Sequence, residues 1–524
     1  MKRRQAWTIN RSRWGAACGL AGVLLAACGG GSSDAPAPPM PAGPALHDAT
    51  VYSSAANASL PAATEAAAVT HHSLTLGGQA LAYTASAGHL SARDPASGAP
   101  EASLFYVAYT ADGAPAGSRP LVFFYNGGPG SSTVWLHLGS FAPRRIVTND
   151  PLLTIPLPYQ LVDNAESLID SADLVFVDAV GTGYSEALAP RTNQSFWSVD
   201  ADAALMRDFI ARYVGVNQRA LSPTFIFGES YGTTRSALLA NLMVTAGMRL
   251  DGVILQSSIL DYNTNCEISG PPPVSCAGYL PSYALTGAWF QLLHPNPAPT
   301  DTYADSFAQQ MRSFTDTSYA PAVNAFLAHG SPPAPALLAQ LVDRTGAALA
   351  LWTQNFDLGA TTFRQQLLSM QLLGRYDARI AAANGSALSA GGDPSSTLIT
   401  APFTAAQRDH LANELQYTAA SSYTVLGSAI NTWDFRHDGE DLPDVIPDLA
   451  TALAQHPTLR ILSLAGQHDL ATPFHQTELD LARLGTVPGM QQRVYPGGHM
   501  TYLDDRSRPR IKADIVAFIR GAAP

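Results

Sequence analysis

Charged side chains are scarce in this chain of 524 residues: Asp, Glu, Lys and Arg together make up 14% of it, and the formal net charge is -11. No long run of Lys or Arg occurs beyond the first 13 residues. Because nucleic-acid binding depends on clustered positive charge, the composition excludes nucleic acid as a partner. Cysteine is scarce as well, with four residues, and no paired histidine ligands accompany them, so we expect no metal site.

The N-terminus lacks a hydrophobic run long enough to span a bilayer comfortably. Residues 14–27 are apolar and small, and they follow a basic region, which predicts a signal peptide over residues 1–27. The segment ends in Leu-Ala-Ala directly before Cys28, which resembles a bacterial lipobox. We therefore expect an exported protein that is lipidated at Cys28 and anchored to a membrane, facing the periplasm or the cell exterior. No acidic residue follows Cys28, as in lipoproteins of the outer membrane; the alternative is a plain signal peptide with an incidental cysteine.

Two cysteines remain in the exported body, Cys266 and Cys276. An exported protein folds in an oxidising compartment, where thiols close in sequence form disulfides. We predict a Cys266–Cys276 disulfide.

The hydrophobic pattern predicts an α/β sheet. Short strand-like runs at 80–84, 104–109 and 120–125 are typical of opening antiparallel strands. Apolar runs at 174–177, 224–227 and 253–255 indicate buried parallel strands, and helical patterns separate them.

Composition divides the chain further. Residues 28–70 are rich in Gly, Ala, Pro and Ser, which predicts a disordered linker. The strand pattern stops near residue 262 and returns near 459, with helix-like stretches such as 335–354 between. We therefore predict a core over 71–261 and 451–524, interrupted by a helical cap insertion over 262–450.

The sequence Gly228-Glu-Ser230-Tyr-Gly232 follows an apolar run and precedes a helix-like segment. In that context, Gly-x-Ser-x-Gly predicts a nucleophile elbow, a tight turn that exposes the serine hydroxyl. The alternative is an ordinary turn flanked by glycines.

A serine hydroxyl becomes nucleophilic when a histidine, oriented by a carboxylate, removes its proton. α/β-Hydrolases supply these residues in the order serine, acid, histidine, each after a strand. Asp469 and His499 follow strand-like runs in that order. His468 and His475 are rival bases, but both lie in the loop of the acid itself.

A glycine-rich loop, Asn126-Gly-Gly-Pro-Gly130, follows the strand-like run at 120–125. No Lys-Ser or Lys-Thr pair follows it, so a phosphate-binding P-loop is excluded. In a hydrolase such a loop donates a backbone N–H to the oxyanion hole, and the alternative is a plain connecting turn.

Together, these motifs resemble the serine carboxypeptidase family from about residue 72 to the C-terminus: the glycine-rich loop, the elbow around Ser230, the turn holding Asp469, and Gly498-His499-Met500. The resemblance implies an α/β-hydrolase fold with a mixed, mostly parallel central sheet and a helical cap, and it implies no cofactor. Ser230 would be the nucleophile, His499 the general base and then acid, and Asp469 its orienting residue.

The same resemblance implies that the N–H groups of Gly128 and Tyr231 form the oxyanion hole. Asn126 and Glu229 match the residues that bind the C-terminal carboxylate of a peptide. A protonated Glu229 can donate to that carboxylate, whereas an ionised one repels it. The alternative for Glu229 is a residue that merely packs at the elbow.

One departure from the family pattern bears on specificity. Ser140 stands where eukaryotic members carry a glutamate that shares a proton with the elbow glutamate. Arg144 and Arg145 lie just beyond it, either near the substrate carboxylate or exposed to solvent.

We therefore expect an exported serine carboxypeptidase that acts on peptides through an acyl-enzyme. One alternative is an esterase or acyltransferase on the same residues, which the loss of the second glutamate leaves open. The other is a catalytically inactive lipoprotein that binds peptides.

Overall fold

The computed structural model describes residues 44–115, 117–148, 155, 157–268, 273–296 and 301–521, with side chains of the last range described from residue 305. The strands in these ranges are β1 (Leu46–Asp48), β2 (Ala67–Leu76), β3 (Gln79–Arg93), β4 (Pro100–Ala111), β5 (Leu121–Tyr125), β6 (Arg144–Ile146), β7 (Leu161–Asp163), β8 (Asp173–Val177), β9 (Glu186–Ala187), β10 (Thr224–Glu229), β11 (Gly252–Gln256), β12 (Gln371–Leu373), β13 (Ala381–Ala383), β14 (Tyr417–Ala419), β15 (Arg460–Gly466) and β16 (Met490–Tyr495). The α-helices are α1 (Val134–Gly139), α2 (Val199–Val216), α3 (Tyr231–Thr245), α4 (Leu280–Trp289), α5 (Asp301–Phe314), α6 (Ala320–His329), α7 (Pro335–Thr345), α8 (Leu349–Gln354), α9 (Ala360–Gln366), α10 (Pro394–Asp409), α11 (Ile446–Gln455), α12 (Phe474–Ala482) and α13 (Ser507–Arg520). None of the helices in the described ranges has both the length and the apolar character needed to cross a membrane.

Ten of these strands form one sheet in the order β16-β15-β11-β10-β5-β8-β4-β3-β2, with β9 paired to β4. The six strands from β16 to β8 are parallel, and β4, β3 and β2 extend the sheet antiparallel. The predicted α/β-hydrolase fold, with a mixed and mostly parallel sheet, is thereby confirmed. The expectation of an antiparallel strand at 120–125 is wrong. β5 pairs in parallel with β8 and β10 because its five apolar residues are buried on both faces.

Helices cover both faces of this sheet because strand side chains alternate between them. Phe123 of β5 points to one face and packs in a core with Phe209 of α2 and Leu239 of α3. The next residue, Phe124, points to the other face and shares a core with Phe518 of α13. The sheet is therefore a rigid central layer whose loops can be positioned accurately.

The parallel strands bring the predicted site residues to one edge of the sheet. The glycine-rich loop follows β5, the elbow follows β10, and the loops holding Asp469 and His499 follow β15 and β16. The register pairs Gly228 with Tyr125, so the elbow and the glycine-rich loop leave the sheet side by side. The carboxyl ends of parallel strands are the usual location of sites in open α/β sheets.

Between β11 and β15 the chain forms α4 to α11 and the short strands β12, β13 and β14. Several of these helices share a third core around Tyr283, Met311 and Trp352. That core also contains Leu470 and Phe474, so it packs directly against the loop that holds the predicted acid. The domain boundaries of the predicted cap stay a prediction.

The predicted disordered linker is wrong over residues 44–70, and its remainder lies outside the described residues. Strand β1 pairs in parallel with β14, and the N–H of Leu60 donates to the carbonyl of Ala187 at 2.8 Å. The Tyr52 hydroxyl donates to Asp48 at 2.7 Å. A few apolar and aromatic side chains, set among many Ala, Pro and Ser residues, are enough to dock this segment, and average composition conceals them.

Candidate active site

Ser230 occupies a strained turn between β10 and α3. Its φ of 60° lies in the left-handed region, which is uncommon for a residue other than glycine. A Cβ at Gly228 would lie 2.0 Å from the carbonyl oxygen of Gly232, so only glycine fits where the turn closes. The N–H of Ser230 donates to the carbonyl of Gln256 at 3.0 Å, which ties the turn to the neighbouring strand.

His499 and Asp469 are in direct contact. The Nδ1–H of His499 donates to Oδ2 of Asp469 at 2.7 Å, and both side chains are buried. The other carboxylate oxygen accepts the N–H groups of Ala471 and Thr472 at 2.8 and 3.0 Å. Burial by itself lowers the pKa of His499, but the charge and hydrogen bond of Asp469 outweigh it and raise that pKa. The contact leaves Nε2 as the free basic atom of the ring.

The backbone of His499 is held from two sides. Its carbonyl oxygen accepts from Oγ of Ser257 at 2.6 Å and from Nε2 of Gln256 at 3.0 Å, both at the end of β11. Its N–H donates to the carbonyl of Tyr376 at 2.6 Å, and the two rings lie 5.0 Å apart. Sequence patterns missed Tyr376, because it comes from a region more than 100 residues upstream that carries no motif.

The rival histidines are engaged elsewhere. His468 is buried beside Trp289, and burial lowers its pKa well below the usual range. His475 contacts Glu478 and Asp316 at 2.9 and 3.0 Å. Neither histidine lines the cleft that contains Ser230.

The glycine-rich loop lies against the elbow. A Cβ at Gly127 would lie 2.5 Å from the backbone nitrogen of Tyr231, so glycine is required for this approach. Gly128 has a φ of 107°. No acceptor within the described part of the chain bonds the N–H of Gly128 or of Tyr231. Both donors are therefore available to an oxygen beside Ser230.

Glu229 is a buried carboxyl between two donors. Asn126 donates from Nδ2 to its Oε1 at 2.7 Å, and the Tyr502 hydroxyl donates to its Oε2 at 2.6 Å. The orientation of the Asn126 amide is set because its Oδ1 accepts the N–H of Leu136 at 3.1 Å. Burial raises the pKa of Glu229 to about 7, against the opposing charge of His499 and the bond from Tyr502. Tyr502 was also missed by sequence patterns.

Within the described residues, Ser140 and the two arginines make their hydrogen bonds and ion pairs with groups other than Glu229. The Ser140 hydroxyl donates to the carbonyl of Leu136 at 2.5 Å, within its own helical turn. Arg144 pairs with Glu414 at 3.0 Å, and neither it nor Arg145 lines the cleft.

A cleft of about 530 Å3, part of it open to solvent, joins the predicted residues. Its polar lining includes Ser230, His499, Glu229 and Asn126. Its apolar lining comes from Trp135, Ile399, Leu426 and Met500. The cleft can therefore hold a small polar group and an adjacent apolar side chain next to the serine.

The predicted disulfide between Cys266 and Cys276 is present. Cys28 and the predicted signal peptide lie outside the described residues. Among the described side chains, one group brings three metal-binding atoms together, namely His437, Asp438 and Asp448. His437 there is hydrogen-bonded to Asp448 at 2.9 Å, and none of the three lines the cleft.

Comparison with known proteins agrees with this geometry. Residues 78–274 match the family described as serine carboxypeptidase. Serine carboxypeptidase-like 33 of Arabidopsis thaliana is 32% identical over 147 residues, which cover 27% of this chain and 28% of that relative. The match thus spans about a quarter of the relative's length.

Solved structures of similar fold include proline iminopeptidase from Mycobacterium smegmatis, with 15% identity, a TM-score of 0.34 and coverage of 83% of this chain and 98% of that one. A carboxyl esterase from Bacillus coagulans has 14% identity, a TM-score of 0.35 and the same coverage. The family match includes the glycine-rich loop and the elbow. Through residues 78–274, the chain is therefore similar to the serine carboxypeptidase family.

Proposed function

We propose that the protein is a serine carboxypeptidase that releases the C-terminal residue of peptides. The observation that carries this proposal is the buried Glu229–Asn126 pair, which lines the same cleft as Ser230 and His499. A carboxyl with a pKa raised to about 7 can be protonated and donate to a peptide carboxylate. A simple esterase has no use for such a group.

The chemistry follows from the free atoms of the site. Nε2 of His499 takes the proton of Ser230 as Oγ attacks the scissile carbonyl, and Asp469 stabilises the imidazolium that forms. The N–H groups of Gly128 and Tyr231 donate to the developing oxyanion. His499 then protonates the leaving amine, and water hydrolyses the acyl-enzyme by the reverse sequence.

Binding of the substrate's C-terminal carboxylate determines which peptide bond lies at Ser230. Asn126 donates to Glu229, and we expect its amide to donate to the substrate carboxylate as well. Protonated Glu229 supplies another donor, and this donor is lost as the pH rises through about 7. We therefore expect KM for free-acid substrates to rise above that pH, while the KM of uncharged substrates does not.

The test compares an N-blocked dipeptide with the same compound amidated at its C-terminus, between about pH 4 and pH 8. We expect selective cleavage of the free acid, with no cleavage by Ser230→Ala. Glu229→Gln, which keeps shape and a donor but cannot ionise, should keep free-acid cleavage and lose its pH dependence. Equal cleavage of acid and amide, or cleavage of esters alone, would transfer the protein to the esterase or acyltransferase class.

We also propose export and lipidation at Cys28, on the strength of the Leu-Ala-Ala-Cys28 sequence after a short apolar segment. The protein should then partition into detergent and incorporate labelled palmitate, and Cys28→Ser should do neither. A wild-type protein that is recovered unlabelled in the aqueous phase would exclude the anchor.

A further inference from the structure

The Tyr502 hydroxyl is the second donor to Glu229, and the proposed function gives it no role. Tyr502 lies in a short helical turn just after His499, and its side chain is fully buried. Its hydroxyl lies 2.6 Å from Oε2 of Glu229. It therefore contacts the carboxyl that we assign to substrate binding.

Among the described residues, no second carboxyl is hydrogen-bonded to Glu229, whose partners are Asn126 and Tyr502. Ser140, at the position where the family resemblance places a glutamate, bonds within its own helix instead. The charged or titratable groups that act on Glu229 from the neighbouring loops are His499, Asp469 and Tyr502. His499 and Asp469 already form a pair with each other, so Tyr502 is the titratable partner bonded directly to Glu229.

We propose that Tyr502 is a positioning residue that controls the protonation of Glu229 and thereby the pH range over which the C-terminal carboxylate of the substrate is bound. This inference rests on the proposed carboxypeptidase function. It assigns to one tyrosine the role that a second carboxyl would otherwise fill.

The two donors to Glu229 differ in what they can do. Asn126 offers Glu229 an N–H that can only donate, since its own oxygen is occupied by the N–H of Leu136. The hydroxyl of Tyr502 donates to Oε2 of Glu229, and this bond is stronger when the carboxylate is ionised than when it is protonated. Burial and the charge of Glu229 raise the pKa of Tyr502 well above its usual value, so the hydroxyl keeps its proton throughout.

Loss of this hydroxyl must therefore favour the protonated form of Glu229. The ionised carboxylate loses a donor in a buried site, and the pKa of Glu229 rises. We expect the pH above which KM for the free-acid substrate rises to increase by about one to two units. This is the size expected for one hydrogen bond to a charged group.

The experiment measures KM and kcat against pH for the N-blocked dipeptide and for its amide, with wild type and Tyr502→Phe. Tyr495→Phe is a matched control, because Tyr495 is also a buried tyrosine that donates to a carboxylate, Asp514, at 2.6 Å. Tyr502→Met provides a second variant without the hydroxyl. Thermal melting of each variant checks that it is folded.

We expect the pH at which KM for the free acid rises to be higher in both Tyr502 variants than in wild type, and to be unchanged in Tyr495→Phe. In Glu229→Gln, KM for the free acid should not rise with pH, whether or not Tyr502→Phe is also present. A wild-type rise in KM near pH 7 that occurs at the same pH in folded Tyr502→Phe overturns this inference alone. Equal cleavage of acid and amide by wild type overturns the proposed function and, with it, this inference.

Discussion

Replacement of Asp202 by Asn tests how much a buried ion pair beside the elbow stabilises the protein. Arg235 of α3 is completely buried, and it contacts Asp202 of α2 through Nε at 2.6 Å and Nη2 at 3.2 Å. Its third nitrogen, Nη1, donates to the carbonyl of Asn126 at 2.8 Å. The variant therefore leaves an uncompensated cation directly beneath the glycine-rich loop.

The cost of this change follows from the burial of the pair. Burial alone lowers the pKa of Arg235, but the charge of Asp202 outweighs it, so the arginine stays charged. Breaking a buried ion pair from one side costs about 3–5 kcal/mol. The rings of Tyr125 and Tyr231 lie 5.2 and 5.3 Å from the guanidinium and offer some compensation, which places our expectation near the lower end, about 3 kcal/mol.

Urea unfolding followed by tryptophan fluorescence measures the change as the shift in midpoint multiplied by the slope. Arg436→Met is the control, because Arg436 pairs with Asp434 at the surface and should contribute less than about 1 kcal/mol. The double variant Asp202→Leu with Arg235→Met should recover most of the stability, because an apolar pair replaces both charges. It should not recover full activity, since the carbonyl of Asn126 stays without its donor. A loss in Asp202→Asn no larger than that of the surface control would refute the reasoning.

Three further outcomes are expected. Asp469→Asn should lower kcat by about 10^3–10^4 in steady-state assays, because the imidazole loses the acceptor that orients it; a loss below tenfold would contradict this role. Replacing Cys266 and Cys276 by Ser should lower the free energy of unfolding in urea by about 2.5–3 kcal/mol on the chain-entropy model, and an unchanged midpoint would contradict it. Hydrogen bonding, to Asp448 first, raises the pKa of His437 to about 9, so its stabilisation is complete below about pH 6.5 and is lost as the pH rises through 9. His437→Gln should flatten the fall in melting temperature over that range, and an unchanged slope would show that His437 is not the group responsible.

The parts of the fold that follow a regular period could be predicted from sequence. The buried runs of β8, β10 and β11 were recognised because they are short, apolar and separated by helical patterns. Breaks inside helical patterns were harder to place. The stretch 335–354 reads as one helix but forms α7 and α8, because Gly346 adopts a φ of 71° and ends α7.

The candidate site was predictable wherever a motif and its strand occur together. Ser230, Asp469 and His499 each follow a strand, and the sheet brings these loops to one edge. Tyr502 and Tyr376 were not predictable, because a tyrosine in a loop carries no periodic or motif signal. The family resemblance implies a glutamate at the position of Ser140, but only the folded chain identifies the hydroxyl that contacts Glu229.

The elbow and the glycine-rich loop are joined so closely that they act as one unit. Asn126 donates to Glu229 through its side chain and accepts from Arg235 through its carbonyl, and a Cβ at Gly127 would collide with the nitrogen of Tyr231. A hydrogen-bond donor lowers the energy of a developing oxyanion most when it need not move during the reaction. Here the donors on both sides of the proposed oxyanion hole are fixed by contacts between the same two adjacent strands. A change that loosens Arg235 should therefore impair oxyanion stabilisation and carboxylate binding together, and kcat and KM should both change even though Arg235 does not line the cleft.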